Sequence, residues 1–191
     1  TGAWRTIKPA LEKNGIEYEL YDGVRANPTY DGCEETAKIG KETGAKAFLA
    51  VGGGSPIDTA KTAAVLIKHP GKRALDFYEK GVTIKNAAPI IEVNTTHGTG
   101  SETNAIAVTQ SDGRFKPFIA SPNIYPTYSI EDPELTKTLS KEQTIFTAMD
   151  SLNHVTEATT SSVRNPYSML LGIETVRHVT ANLPVAIKDP T

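Results

Sequence analysis

The apolar and polar positions of the first hundred residues predict helices and strands in alternation. A helix comes first, and residues 18–21 then alternate as in a strand. A second helix is predicted over 29–41, followed by a continuous apolar strand over 47–51 of the kind buried on both faces of a parallel sheet. A third helix over 56–68 leads through a polar loop to another buried strand over 89–94. This order predicts an α/β fold with a doubly wound parallel sheet.

The alternation ends near Gly100, where the pattern changes to a hairpin. Apolar segments at 105–109 and 115–120 flank Ser111-Asp112-Gly113, a sequence typical of a tight turn. One further extended segment is expected over 125–130.

Beyond residue 140 the pattern is helical, which predicts a second domain. A helix is expected over 142–159, and another should start at Asn165-Pro166, where Asn caps and Pro takes the first turn. We therefore expect an α/β domain over 1–140 and the start of an all-helical domain over 141–191. The intervening sequence has no flexible linker, so the second domain should pack directly on the first.

Composition excludes several classes of function. The 191 residues carry 20 Lys and Arg against 22 Asp and Glu, for a net charge of −2, so no basic patch for nucleic acid is indicated. The longest apolar stretch, near 45–51, is far too short for a membrane span, and no signal peptide is recognisable. We expect a cytoplasmic protein without nucleic-acid or membrane partners. The single Cys33 can form no internal disulfide and is interpreted as a small hydrophobe.

Three glycines stand at the turn between the strand over 47–51 and the next helix. Turns of this kind bind phosphates, since glycine lets the backbone approach and the first helical amides face the anion. Ser55 is the expected cap, with Pro56 in the first turn and Asp58 completing the capping arrangement. The spacing matches neither the dinucleotide fingerprint nor a Walker loop. Anion binding and a merely tight turn both remain open.

A second glycine cluster, at 95–102, follows the strand over 89–94. Two such turns at the carboxyl ends of neighbouring strands predict one crevice. The hydroxyl groups of Thr95, Thr96 and Thr99 could bind a ribose or pyrophosphate there. The alternative is a loop in which these hydroxyls only satisfy the backbone.

Asp150 and His154 lie four residues apart on the helix over 142–159. A carboxylate and an imidazole at this spacing can share a divalent cation, although the spacing alone favours an exposed hydrogen bond between them. Two ligands are too few for a catalytic metal, and the later His178 has no carboxylates around it.

Three segments together resemble the iron-containing (group III) alcohol dehydrogenase family. They are Gly52-Gly53-Gly54-Ser55-Pro56-Ile57-Asp58, Gly98-Thr99-Gly100-Ser101-Glu102 and Asp150-Ser151-Leu152-Asn153-His154. The resemblance implies an α/β nucleotide-binding domain followed by an all-helical domain like that of dehydroquinate synthase, with the active site between them. The chain would then be an internal part of a longer enzyme, without the first strand and most of the helical domain.

The resemblance also implies a set of ligand-binding residues. Asp150 and His154 would be the first two ligands of Fe²⁺, or of Zn²⁺ in some members, with two further histidines beyond this chain. The nicotinamide cofactor, NAD or NADP, would contact Asn27, Gly53, Gly54, Ser55, Asp58, Thr95, Thr96, Thr99 and Lys116. No residue is expected to act directly in catalysis, and His97 is the one side chain considered as a base.

The expected function is a metal-dependent alcohol dehydrogenase that transfers a hydride between a primary alcohol or aldehyde and the nicotinamide cofactor. The family implies a homodimer, and the isolated fragment should be inactive. The alternatives are a fold relative acting on a polyol or polyol phosphate, a lyase resembling dehydroquinate synthase, and a truncated chain that binds nucleotide without catalysis. The alcohol and the choice between NAD and NADP stay open.

Overall fold

The computed structural model describes residues 2–110 and 115–189, which form six α-helices and five strands. The helices are α1 (Ala3–Lys13), α2 (Tyr30–Glu42), α3 (Gly54–Lys68), α4 (Ala74–Tyr78), α5 (Lys141–Thr160) and α6 (Pro166–Ala186). The strands are β1 (Phe48–Gly52), β2 (Ile90–Asn94), β3 (Ile106–Val108), β4 (Phe118–Ala120) and β5 (Tyr128–Glu131). The predicted α/β class with a parallel sheet is confirmed, and the helices expected at 29–41, 56–68 and 142–159 end within two residues of their predicted bounds.

The parallel sheet has the strand order β1-β2-β5. Its register pairs Gly52 with Asn94 and Asn94 with Glu131, so these three residues form a row at the carboxyl edge. The segment over 125–130 was expected only to be extended, whereas the structure makes part of it the third parallel strand. Pairing with β2 decides this, because β5 is exposed at every position and has no burial pattern of its own.

The core lies where α3 packs on β1 and β2. Ten consecutive residues of α3, from Ile57 to Leu66, are buried, and the small side chains of Ala60, Ala63 and Ala64 permit this close packing. Cys33 of α2 is fully buried in the same core. Burial raises the pKa of its thiol to about 12, so Cys33 is the small hydrophobe that the sequence indicated.

Two predictions for the sheet fail at particular positions. Residues 18–21 form no strand, because they find no hydrogen-bonded partner strand among the described residues. Tyr18 instead packs its ring edge-on against Trp4 of α1, with centroids 5.3 Å apart. Strand β1 is not buried on both faces, since Leu49, on the face opposite Phe48 and Ala50, is exposed.

The segments between the larger elements agree in part with expectation. Strands β3 and β4 pair antiparallel, which confirms the hairpin strands, while the turn Ser111-Asp112-Gly113 lies outside the described residues. The polar loop after α3 contains the short helix α4. Its first turn is fixed by the Asp76 carboxylate, which accepts a hydrogen bond from the Arg73 amide at 2.9 Å.

The last two helices begin where the sequence predicts. The Ser140 hydroxyl caps α5, and the Asn165 side chain caps α6 by accepting from the amides of Tyr167 and Ser168. The two helices pack on each other at Gly172, where a Cβ atom would come 2.5 Å from Thr159 Cγ2. Within the described residues, no helix is long and apolar enough to cross a membrane. The domain boundary after residue 140 stays a prediction.

Candidate dinucleotide and metal site

The two glycine clusters meet at the carboxyl edge of the sheet, as their positions after β1 and β2 predict. The amide of Thr95 donates to the carbonyl of Gly52 at 3.0 Å, which joins the first residues of the two turns. Asn94 Oδ1 accepts from the amide of Thr96 at 3.2 Å and fixes the start of the second turn. We call residues 52–55 the glycine turn and residues 95–100 the threonine loop.

Close contact with the threonine loop explains two of the three glycines. A Cβ atom on Gly53 would collide with Thr96, and one on Gly54 would lie 2.7 Å from Thr99 Cγ2. Gly52 has φ of +150° and faces Pro56, whose Cγ would lie 2.6 Å from an added Cβ. The close packing of the two loops therefore requires glycine at positions 53 and 54, whether or not a ligand binds there.

No side chain in the described part of the chain caps the N-terminus of α3. Gly53, not Ser55, occupies the cap position, so the predicted capping by Ser55 and Asp58 is wrong. The reason is that the helix starts two residues earlier than expected, which places Ser55 inside its first turn. Pro56 has no amide hydrogen, so the free amides of the first turn are those of Gly54 and Ser55. They have no partner within the helix and no cap from a described side chain, so they are suited to bind an anion.

Three polar residues from distant parts of the chain meet beside this helix terminus: Asn27, Ser55 and Lys116. The Ser55 hydroxyl accepts from the amide of Asn27 at 3.1 Å. Lys116 Nζ donates to Asn27 Oδ1 at 2.7 Å. Asn27 has a left-handed backbone with φ of 60°, a conformation that asparagine tolerates well. The exposed ammonium group adds positive charge close to the uncapped amides.

Asp58 and Thr95 lie inside the protein. Asp58 is 8% exposed, and its two oxygens accept from the Ser101 hydroxyl at 2.5 Å and from the Val108 amide at 3.1 Å. Burial raises its pKa to about 6, against the opposing effect of both hydrogen bonds and of Lys61. Thr95 is buried as well. Both side chains are therefore largely closed to solvent, and their contact with the cofactor stays a prediction.

Sequence reasoning missed a group of buried ionisable residues beneath the glycine turn. Lys61 is fully buried, and its Nζ donates to the carbonyls of Ser101, Asn104 (2.9 Å) and Ile106 (3.0 Å). Burial lowers the pKa of Lys61, and the carboxylates of Glu92, Asp58 and Glu102 counteract this.

Glu92 completes this buried group from β2. It is fully buried, and neither of its carboxylate oxygens has a hydrogen-bond partner among the described residues. Burial raises its pKa, with Lys61 acting in the opposite direction. The sequence does contain a signal for this buried group. Glu92 is a charged residue in the middle of an apolar strand, and Lys61 is a charged residue in the middle of an alanine-rich helix.

Asp150 and His154 lie side by side on α5. His154 Nε2 is 3.5 Å from Asp150 Oδ1, and the side chains are 52% and 41% exposed for His154 and Asp150. Both can therefore contribute to one cation. No third His, Cys, Asp or Glu forms a group with this pair in the described part of the chain. Their role as metal ligands stays a prediction.

Close packing joins this helix to the threonine loop. A Cβ atom on Gly98 would lie 2.6 Å from the carbonyl oxygen of Thr147, so the loop backbone touches α5 there. Thr147 and Asp150 are three residues apart and share one face of the helix. The contact thus brings the helix face with Asp150 toward the crevice.

The comparisons with known proteins identify the family of the chain. The family model of the iron-containing alcohol dehydrogenases matches residues 1–133. The chain belongs to this family.

Its relatives include the long-chain primary alcohol dehydrogenase of Thermoanaerobacter ethanolicus, which is 52% identical over 191 residues, covering all of this chain and 48% of that protein. The crystal structure of NADH-dependent butanol dehydrogenase A from Thermotoga maritima superposes with a TM-score of 0.92 at 31% identity, over 99% of this chain and 48% of that one. The crystal structure of a halo-thermophilic archaeal alcohol dehydrogenase from a Red Sea brine pool superposes with a TM-score of 0.94 at 29% identity. The match covers 98% of this chain and 49% of that one. The chain thus spans about half the length of these relatives.

Proposed function

We propose that this chain supplies the dinucleotide crevice and half of the metal site of an alcohol dehydrogenase that oxidises primary alcohols or reduces the corresponding aldehydes. The observation that carries the proposal is the convergence of the uncapped α3 terminus, the Asn27–Lys116 pair and the threonine loop on one sheet edge. The substrate class rests on family membership and on relatives named for primary alcohols, butanol and methanol. These comparisons do not favour a polyol or polyol phosphate.

The residues of the crevice have distinct parts in this proposal. The amides of Gly54 and Ser55 bind the pyrophosphate, and Lys116 offsets its charge. Thr96 and Thr99 contact the nucleotide from the opposite loop. Asp58 fixes α3 to Ser101, just beyond the threonine loop, and the Thr95 amide ties that loop to Gly52. The crevice thereby fixes the orientation of the cofactor, NAD or NADP, relative to α5.

Asp150 and His154 are proposed as two ligands of Fe²⁺, or of Zn²⁺. Their adjacent, exposed donor atoms suit a cation that prefers one imidazole and one carboxylate. When bound, the metal supplies Lewis acidity toward the alcohol oxygen, and the nicotinamide supplies the hydride acceptor. The described residues offer this pair and no third partner, so we expect the isolated chain to bind nucleotide without turnover. A homodimer and a cytoplasmic location remain predictions from the sequence.

Nucleotide binding tests the crevice separately from catalysis. Calorimetric titration of the chain with NAD⁺, NADH, NADP⁺ and NADPH should reveal one binding site. Lys116→Met should weaken it about tenfold, the cost of one charge-assisted contact. Lys137→Met is the matched control, because Lys137 is paired with Glu134 at 2.7 Å outside the crevice. Equal affinities for the two variants would remove Lys116 from the site.

Measurements of metal binding and turnover test the proposed metal ligands. In the protein that carries this sequence, reconstituted anaerobically with Fe²⁺, His154→Ala should abolish metal retention and alcohol-dependent NAD(P)⁺ reduction. Dinucleotide binding should remain unchanged. His178→Ala, an exposed histidine on α6, serves as the control. Metal retained at wild-type stoichiometry in His154→Ala would contradict the assignment.

A further inference from the structure

A second cluster of metal-binding side chains lies at the carboxyl edge of the sheet. His97 of the threonine loop, Glu102 beyond it and Glu131 at the end of β5 place one ligand atom each within 4.8 Å of one another. The His97 Nδ1 atom lies 3.4 Å from Glu131 Oε2. Two ligands of one tetrahedral Zn²⁺ are about 3.4 Å apart, so this pair already has the required separation.

Glu102 gives an independent sign that something is bound here. The residue is only 9% exposed, and its Oε2 atom has no hydrogen-bond partner among residues 2–110 and 115–189. A buried carboxylate oxygen without a partner is costly and calls for a proton or a cation. Glu131 Oε2 also accepts from Asn94 Nδ2 at 3.1 Å, and this hydrogen bond fixes the orientation of the carboxylate.

We propose that His97, Glu102 and Glu131 bind a divalent transition-metal ion such as Zn²⁺, in addition to any metal at Asp150 and His154. One imidazole and two carboxylates suit Zn²⁺ or a neighbouring transition metal better than Ca²⁺ or Mg²⁺, which prefer oxygen ligands alone. His97 and Glu131 are open to solvent, so water can complete the coordination. The ion would tie the threonine loop to the end of β5 and so fix one wall of the crevice.

The test separates this site from the proposed family site. In the double variant Asp150→Asn/His154→Ala, equilibrium dialysis with Zn²⁺ should still give one bound ion per chain. Adding His97→Ala or Glu102→Gln should weaken that binding at least tenfold. Adding His178→Ala should leave it unchanged. The result does not depend on alcohol dehydrogenase activity, so the two proposals can fail independently.

A stability measurement guards against misfolded variants. Zn²⁺ should raise the midpoint of thermal unfolding of the double variant, because a ligand of the native state alone stabilises it. This rise should disappear with His97→Ala, whose side chain is half exposed and can be removed without disturbing the core. Two results would overturn the proposal. One is that the double variant binds no Zn²⁺, and the other is that adding His97→Ala or Glu102→Gln leaves its Zn²⁺ affinity unchanged.

Discussion

Helices α3 and α5 each carry candidate site residues, yet their burial differs greatly. Helix α3 buries ten consecutive residues, including the charged Asp58 and Lys61. Helix α5, with 20 residues, buries none, and its Asp150 and His154 are both substantially exposed. The candidate dinucleotide residues on α3 therefore belong to a helix that is held by the core. The candidate metal ligands belong to a helix that meets the threonine loop where Thr147 contacts Gly98.

The two regions also differ in the side chains that they bury and expose. Beneath α3, the carbonyls around Ser101 and Asn104 are satisfied by a single ammonium group. Along α5 and α6, large apolar side chains including Phe146, Met149 and Leu170 are exposed. Substitutions should accordingly affect stability strongly in the first region and weakly at the candidate ligands of the second.

The largest effect is expected for Lys61→Met. Removing the ammonium group leaves several buried carbonyls without a donor and Asp58 without its cation, which should cost about 3–5 kcal/mol in the free energy of unfolding. Chemical denaturation measures it. Lys38→Met, at an exposed position of α2, should change stability by less than about 0.5 kcal/mol. Similar losses in both variants would mean that Lys61 does not stabilise the buried group.

The pH dependence of stability should reveal Asp58. Its pKa is raised from 3.8 to about 6 in the folded protein, so the native state binds this proton more tightly than the unfolded state. The contribution to stability is full below about pH 4 and is lost as the pH rises through about 6, amounting to roughly 2–3 kcal/mol. Asp58→Asn should flatten the fall in stability over this window. The exposed control Asp22→Asn should keep the wild-type slope, and a wild-type slope in Asp58→Asn would contradict the prediction.

A smaller effect is expected where the two loops touch. Gly54→Ala should destabilise the protein by about 1–3 kcal/mol, because the new methyl group overlaps Thr99. Thr99→Ser removes Cγ2 and should restore part of the loss in the double variant. Gly2→Ala, whose added methyl group meets no heavy atom within 4 Å, should have little effect on the unfolding midpoint. A double variant no more stable than Gly54→Ala would mean that the overlap is not the cause.

The smallest effect is expected at the candidate metal pair. With a chelator present, His154→Ala should change the free energy of unfolding by less than about 0.5 kcal/mol, because the side chain is half exposed. Denaturation in the chelator measures this separately from metal binding. A loss above about 1 kcal/mol would show that α5 is as tightly integrated as α3, and the contrast between the two helices would not hold.

Local signals fixed the elements that carry the site. Apolar periodicity predicted α3, α5, β1 and β2, and the cap at Asn165 predicted the start of α6, because these features depend on neighbouring residues alone. The glycine clusters predicted the crevice, because the carboxyl ends of adjacent parallel strands always share one edge.

Other features required contacts between distant residues. Residues 18–21 alternate like a strand but have no partner strand in the described structure, whereas the exposed residues of β5 form a strand by pairing with β2. Asp58 has the sequence position of a capping residue, yet it bonds to Ser101, 43 residues away. Lys61 and Glu92 look like isolated charges in apolar segments until the fold buries them together.

The sequence by itself therefore determined the order of helices and strands, the position of the crevice and the one-turn spacing of Asp150 and His154, since each follows from local geometry. The tertiary structure decided which polar groups face outward and which support the site from within. It also brought His97, Glu102 and Glu131 together. Burial and long-range hydrogen bonding control these choices, and both depend on residues far apart in the chain.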